Sequence, residues 1–347
     1  MACAAVALSS IYEYSMSTDE DVILVTGATG FIGGHLAERL LQNGHKVRLL
    51  VRDEKRLSPQ LRAGCEIHAG SLQDKQALLR AVAGVRVIYH CAANVATWDT
   101  WDAYYAVNVA GVECLLQAIA QACPDLRRLV HLSTVDVYGF PEQPCDEEAA
   151  TGGAGFPYGA TKLLGENLVR DRAEGMNLSY TIFRPANVIG PRSQFIERIG
   201  AELRSGLMVT IAGGRTHAGL IYIDNLVDSL VWAGYAAQAH RQCYNARDAY
   251  DVDWLTFLSA LRTGLHGKGR IIDLPFFAAD WTALLLETIH RRFLPAREPL
   301  LHRLLVRFFG RTCGHSPRKL HADAGTGRIG FEEAVQRSCR WFLTRTP

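Results

Sequence analysis

The sequence predicts an α/β protein built on a doubly wound parallel sheet, and two observations carry that expectation. Short apolar runs rich in β-branched residues alternate with longer segments whose apolar residues recur at helical spacing, the pattern of a parallel sheet covered by helices on both faces. The chemically informative residues also follow the ends of those runs, at 27–33, 52, 92–94, 133–134 and 184–187. In such sheets ligands lie beyond the carboxyl ends of the strands.

Each element can be justified in turn. Residues 22–25 are too few for a helix and read as the first strand. Glycines 27, 30 and 33 follow in TGATGFIG, and Leu36, Leu40 and Leu41 then recur until Asn43-Gly44, a helix stop. Lys46–Val51 is the second strand. A glycine turn between a strand and a helix brings backbone N–H groups toward a pyrophosphate, which the helix N-terminus also favours. With a second strand within about 30 residues the pattern is that of a Rossmann-type dinucleotide site. Gly27, Thr29, Gly30, Phe31, Ile32 and Gly33 are therefore candidate cofactor residues. Further strands are expected at 65–69, 85–90, 128–133 and 179–184, with helices at 73–83 and 103–122. Beyond Gly190 the pattern loosens into helices at 193–205 and 225–238 and a short strand at 220–223. These spans divide the chain into an extension at 1–20, a dinucleotide-binding domain at 21–190 to which residues of about 220–245 return, and a substrate-binding lobe at 191–347.

Composition narrows the function classes. A formal charge of +2 over 347 residues offers no general attraction for nucleic acid. The nine cysteines are odd in number and contain no CxxC, which favours reduced thiols in the cytoplasm over disulfides or zinc. His217, His290, His302, His315 and His321 lack metal-ligand spacing, so no metal is expected. Acidic residues follow the apolar residues 4–8 and no positive residue precedes them, unlike a secretory signal. Met16 is an alternative start to Met1. No run of 18 apolar residues marks a membrane-spanning helix.

The chemistry concentrates around FPYGATK. Tyr158 and Lys162 lie four apart behind Pro157, a residue suited to a helix start, and so share one helix face. A phenol with a pKa near 10 is a poor acid or base at neutral pH. An ammonium beside it is expected to lower that value and poise Tyr158 to exchange a proton with a carbonyl or alcohol oxygen. Thr134, at the end of the fifth strand, supplies a hydroxyl to orient that oxygen. Lys162 is also placed to bond the ribose of a nicotinamide.

In sequence order TGATGFIG, HCAA at 90–93, NVAG at 108–111, STVDVYG at 133–139, YGATK at 158–162 and RPANVIGPR at 184–192 resemble the extended short-chain dehydrogenase/reductase superfamily, the NAD(P)-dependent epimerase/dehydratase group. The resemblance spans about residues 21–265. It implies Thr134, Tyr158 and Lys162 as the catalytic trio and Asn108 as the helix asparagine that supports them. It also implies cofactor contacts at Ser71, Leu72, Ala92, Ala93, Asn94, Pro185 and Val188. Substrate contacts are implied at Val95, Thr134, Val135 and Asn187. The family often has an aspartate where this chain has Ser71. A homodimer through the helices of about 103–122 and 158–174 is expected.

Arg52 follows the second strand where a carboxylate would select NAD. Arginine stacks on adenine and pairs a 2′-phosphate, and VRLLVRD is similar to NADP-dependent dihydroflavonol reductase-like members. NADP is thus favoured over NAD, with Asp53 as a competing ribose acceptor and Lys55 and Arg56 nearby. Val135 replaces the first acid of the pair that dehydratases of this group carry after the threonine. Ala218 stands where epimerases usually have a diphosphate-binding arginine, although Arg215 lies three residues upstream. IYIDNLVDS looks like the 3β-hydroxysteroid dehydrogenase-like branch. The expected activity is interconversion of a carbonyl and a secondary alcohol on a fairly apolar small molecule. The alternative is a nucleotide-sugar epimerase with tightly bound NAD. For the apolar, arginine-rich stretch at about 276–311 three readings compete: core of the substrate lobe, which is favoured, the lining of a lipophilic pocket, and peripheral membrane contact, which is not favoured.

Overall fold

A computed structural model of the chain describes residues 21–141, 143–152, 155–294, 297–311 and 314–345. The extension expected at 1–20, with both candidate starts, lies outside them. Seven parallel strands form the central sheet: β1 (Val22–Thr26), β2 (Lys46–Val51), β3 (Glu66–Ala69), β4 (Val85–His90), β5 (Arg128–Leu132), β6 (Tyr180–Pro185) and β7 (Gln242–Ala246). Their order is β7-β6-β5-β4-β1-β2-β3. The order reverses between β1 and β4, the switch point at which such sheets open a crevice.

Alternation along each strand fills both faces. Ile23 and Val25 join Leu36 and Leu40 of α1 (Phe31–Gln42) in one cluster. Leu24, between them, joins Leu78 of α2 (Lys75–Val82) and Leu115 and Ile119 on the opposite face. Burial on two sides is why these strands read as continuous apolar runs. Hydroxyl and carboxylate caps set the helix starts: Asp74 accepts from the Ala77 nitrogen at 3.0 Å and Thr100 from that of Ala103 at 3.2 Å. Thr100 thereby begins α3 (Trp101–Ala122) two residues before the expected start.

Among the described helices α3 alone is long and apolar enough to cross a membrane, but half of it is buried inside this fold. It reads as a core helix. One π turn, Ala106–Ala110, interrupts it and carries Asn108 into the interior; π turns recur at functional sites. The next long helix, α4 (Pro157–Gly175), begins on Pro157 as expected. After β6, a short strand at Asn187–Ile189 pairs with Leu220–Tyr222, and α5 (Ile223–Tyr235) leads back to β7 at the sheet edge.

The remaining chain forms a largely helical C-terminal region with a second strand pair, Leu207–Ile211 and Arg270–Leu274. Its helices α6 (Phe276–Phe293) and α7 (Arg303–Gly310) pack on one another. The expectation of a lobe core holds for α7: Val306 is fully buried, and Phe308 and Phe309 lie 5.2 and 4.6 Å from the Trp254 ring. It fails for α6. That helix fully buries only Ala279 and Ala283, packs Phe276 beside them, and turns most of its other large apolar residues to solvent.

Candidate active site

The crevice between β1 and β4 is closed tightly by backbone. Gly27 has φ +75°, and a Cβ there would lie 2.7 Å from the Ala92 nitrogen. A Cβ on Gly33 would lie 2.4 Å from the Gly27 oxygen. Only glycine permits either approach. The Thr26 hydroxyl bonds the His90 ring at 2.8 Å and accepts from the Ala92 nitrogen at 3.3 Å, tying the two strand ends together. Helix α1 starts on Gly30 with no side-chain cap and no acid in its first turn. Its first N–H groups are thus left for an anion.

These residues fit a dinucleotide. The turn at 27–33 would hold the pyrophosphate, with Arg52 exposed beyond β2, Ser71 and Leu72 beyond β3, and Ala92, Ala93 and Asn94 beyond β4. The Asp53 carboxylate is engaged locally, accepting from the Lys55 nitrogen at 3.0 Å. The Ser71 hydroxyl likewise accepts from the Gln73 nitrogen at 3.2 Å.

Asn108 connects this half to the catalytic helix. Its Oδ1 accepts from the Asn94 nitrogen at 2.8 Å, and its Nδ2 donates to the Asn94 oxygen at 3.1 Å and to Thr161 Oγ1 at 3.2 Å. One buried amide thus fixes the loop after β4 against α4, the helix of Tyr158 and Lys162. Thr134 is buried at the end of β5. Its hydroxyl donates to the Asp136 carboxylate at 3.2 Å and lies close enough to the Tyr158 phenol to act on its pKa. The Tyr104 ring, from α3, stands 6.2 Å from that of Tyr158.

The electrostatics correct one expectation. Lys162 does not lower the Tyr158 pKa. Burial raises it, the Asp136 carboxylate and the neighbouring Tyr104 add to the rise, and only the Thr134 hydrogen bond opposes them. The reason is geometric: the Lys162 ammonium donates to the Leu132 carbonyl at the end of β5. Burial brings that ammonium down to about 8, partly countered by Cys91 and Glu166. Beneath it lie two stacked, buried imidazoles, His90 and His131, 5.3 Å apart.

Two groups around the trio were not singled out as site residues from sequence. Asp136 is one. Its only signal was its place two residues after Thr134. Glu166 is the other, one further turn along the face that already carries Tyr158 and Lys162, so a continuation of the i, i+4 row would have found it. Burial pushes its carboxyl up, but hydrogen bonds from Arg184 outweigh this and hold it below the usual range. Arg184 donates to both Glu166 oxygens, and Arg170 donates to Oε1 at 2.9 Å.

The other expected contacts are distributed more loosely. Pro185 is buried at the end of β6, and Val188 is partly buried on the main core. Val135 packs with Val137, Tyr138 and Cys145. The Asn187 amide donates to the Ala218 carbonyl at 2.6 Å, so its donor side holds the strand pair together. Val95 is 64% exposed at the rim. Among the described residues no group of His, Cys, Asp or Glu side chains could hold a metal ion.

A dinucleotide crevice joined to a buried threonine and lysine and a half-buried tyrosine defines an enzyme in which a nicotinamide cofactor works beside a tyrosine. Residues 23–246 match the model of the NAD dependent epimerase/dehydratase family, and the chain belongs to that family. It is an NAD(P)-dependent oxidoreductase of the extended short-chain dehydrogenase/reductase type. It is 29% identical over 317 residues to the 4-hydroxy-2-methyl-3-oxo-4-farnesyl-3,4-dihydroquinoline-1-oxide ketoreductase of Stigmatella aurantiaca, covering 90% of this chain and 93% of that protein. It is 33% identical over 215 residues to the 2-alkyl-3-oxoalkanoate reductase of Stenotrophomonas maltophilia (58% and 62%). The fold is shared with UDP-glucuronic acid 4-epimerase from Bacillus cereus in complex with NAD, at a TM-score of 0.73, 20% identity, and coverage of 94% and 100%.

Proposed function

We propose that the protein reduces a carbonyl, or oxidises the corresponding secondary alcohol, on a fairly apolar small molecule with NADP as the preferred dinucleotide. The observation that carries the reading is the placement of the Thr134 hydroxyl beside the half-buried Tyr158 phenol, next to a crevice fitted to a dinucleotide. Bound there, the nicotinamide supplies or accepts the hydride. Thr134 orients the substrate oxygen, and Tyr158 gives that oxygen its proton as the carbonyl becomes an alcohol. A phenol held above its usual pKa stays protonated through neutral pH and so carries the proton to be given, but as a weaker acid than one matched to that pH. Lys162 anchors the floor of the site at Leu132, and its charge is placed for the nicotinamide ribose. Asn108 holds the loop of Asn94 in register with this helix.

Exposed Arg52 and the local engagement of Asp53 support NADP, because the guanidinium is free to pair a 2′-phosphate. Both relatives reported above are named as a ketoreductase and a reductase, which supports carbonyl chemistry over sugar epimerisation. The seven described cysteines are free thiols, in keeping with a cytoplasmic location. A homodimer through 103–122 and 158–174 is part of the same reading, tested by light scattering of the eluting protein.

The deciding experiment follows nicotinamide absorbance with NADPH and a panel of hydrophobic ketones. Turnover is expected, and Tyr158→Phe should lower it by about a hundredfold to ten-thousandfold, the usual contribution of a positioned acid, with cofactor affinity nearly unchanged. Conversion of a UDP-sugar with retained NAD and no net cofactor turnover would overturn the reading.

A further inference from the structure

Helix α6 is built inside out. Toward α7 it presents Ala279 and Ala283, both fully buried. Toward solvent it presents Phe277, Trp281 and Leu285, exposed by 75, 71 and 61%, together with Leu284, Ile289 and Phe293. An amphipathic helix of a globular protein does the reverse. Over its about 27 Å of length the outer face carries no carboxylate. Both acids of the helix turn inward: Asp280 pairs with Arg303 and Arg307, and the Glu287 carboxylate accepts from the Arg303 nitrogen at 2.6 Å. Exposed cations instead gather at the C-terminal end, at Arg291, Arg292 and Arg297. Residues 276–311 hold six arginines against three carboxylates, a net +3 in a chain whose total is +2.

From these observations we infer that the outer face of α6 docks on an anionic lipid bilayer, lying in the headgroup region with its aromatic residues immersed and its arginines on lipid phosphates. An apolar stripe with an arginine border and no acid matches that interface in both polarity and charge. The helix does not span, since its alanine face remains committed to α7. The docked face also adjoins the active site. The Arg291 guanidinium sits 5.0 Å over the Trp98 ring, and Trp98 belongs to the loop that begins at Asn94 and reaches His302 and Glu298 of the lobe. Docking would therefore set the mouth of the crevice against a reservoir of apolar molecules, a consequence that rests on the carbonyl-reductase reading above.

The test is co-sedimentation of the full chain, without substrate, with vesicles of phosphatidylcholine plus phosphatidylglycerol and with vesicles of phosphatidylcholine alone. Binding to the mixed vesicles is expected, and the Phe277→Ser/Trp281→Ser variant should stay in the supernatant while melting at the parent temperature. Arg292→Ala/Arg297→Ala should weaken binding to the mixed vesicles about thirtyfold, since each arginine near an anionic surface is worth roughly fivefold. Failure to sediment with either vesicle would overturn the inference. So would a dimer that the Phe277→Ser/Trp281→Ser variant turns into a monomer without any vesicle binding, because the face would then cover a second copy. No readout involves turnover: a wrong substrate class would leave vesicle binding intact, and lost vesicle binding would leave reduction of a water-soluble ketone unchanged.

Discussion

Asp136 and Tyr158 face one another beside the Thr134 hydroxyl, and the carboxylate helps to hold the phenol above its ordinary pKa, after burial. The hydroxyl donates to that carboxylate at 3.2 Å, so the threonine positions the charge that tunes the proton donor.

Replacing that charge should move the pH profile. In Asp136→Asn the phenolate loses a repelling neighbour and the Tyr158 pKa falls. Reduction needs the protonated phenol, so its loss at alkaline pH should begin at lower pH than in the parent. Alcohol oxidation needs the phenolate and should rise at any given pH below the transition. Profiles of kcat/KM in both directions measure this. Unmoved limbs would remove Asp136 from the account.

Cofactor choice should rest on Arg52. Charge-assisted hydrogen bonds contribute about 1.5–3 kcal/mol, so Arg52→Ala should weaken NADP by roughly ten- to hundredfold and leave NAD nearly unaffected. Titration of each dinucleotide by fluorescence separates the two. Equal losses would show that the guanidinium does not read the 2′-phosphate.

The readability of this chain follows the range of its interactions. Strand, glycine turn and helix at 22–42 are local, and each is legible because sterics and periodicity act within a few residues. Tyr158 and Lys162 were legible as a pair because a helix puts them on one face. Their electrostatics were not, since these depend on Leu132 and Asp136, which neighbour them only in three dimensions. The same holds for α6. Its sequence has apolar faces in abundance, but only the position of α7 decides that alanines go in and Phe277 and Trp281 go out.

The buried pair of Glu166 and Arg184 should anchor the catalytic helix. Both side chains are nearly fully buried, at 1 and 4% exposure. Glu166→Ala leaves Arg184 charged and unpaired inside the fold, at a cost of about 3–5 kcal/mol. Arg170→Ala removes a half-exposed partner of the same carboxylate and should cost less than about 1 kcal/mol. Denaturant unfolding of both variants compares them. Because Glu166 rides on α4, its loss should also lower kcat, whereas similar stabilities would make the pair ornamental to the fold.

Acid should destabilise the protein through the imidazoles under Lys162. Burial, then the Lys162 charge, takes His90 down to about 3, and burial, Lys162 and His90 hold His131 well below its ordinary value. In the unfolded chain both rings take up a proton near their ordinary 6.5. Between that value and the folded one the unfolded state binds more protons, so stability is intact above about pH 6.5 and falls as pH falls below it. Each ring held neutral contributes a slope approaching about 1.4 kcal/mol per pH unit. His131→Phe keeps the stack against His90 and removes one of the two slopes. Unfolding free energies measured from pH 7 to pH 5 should therefore decline less steeply for the variant. Equal slopes would mean that the folded protein opens to protonate His131 in this range.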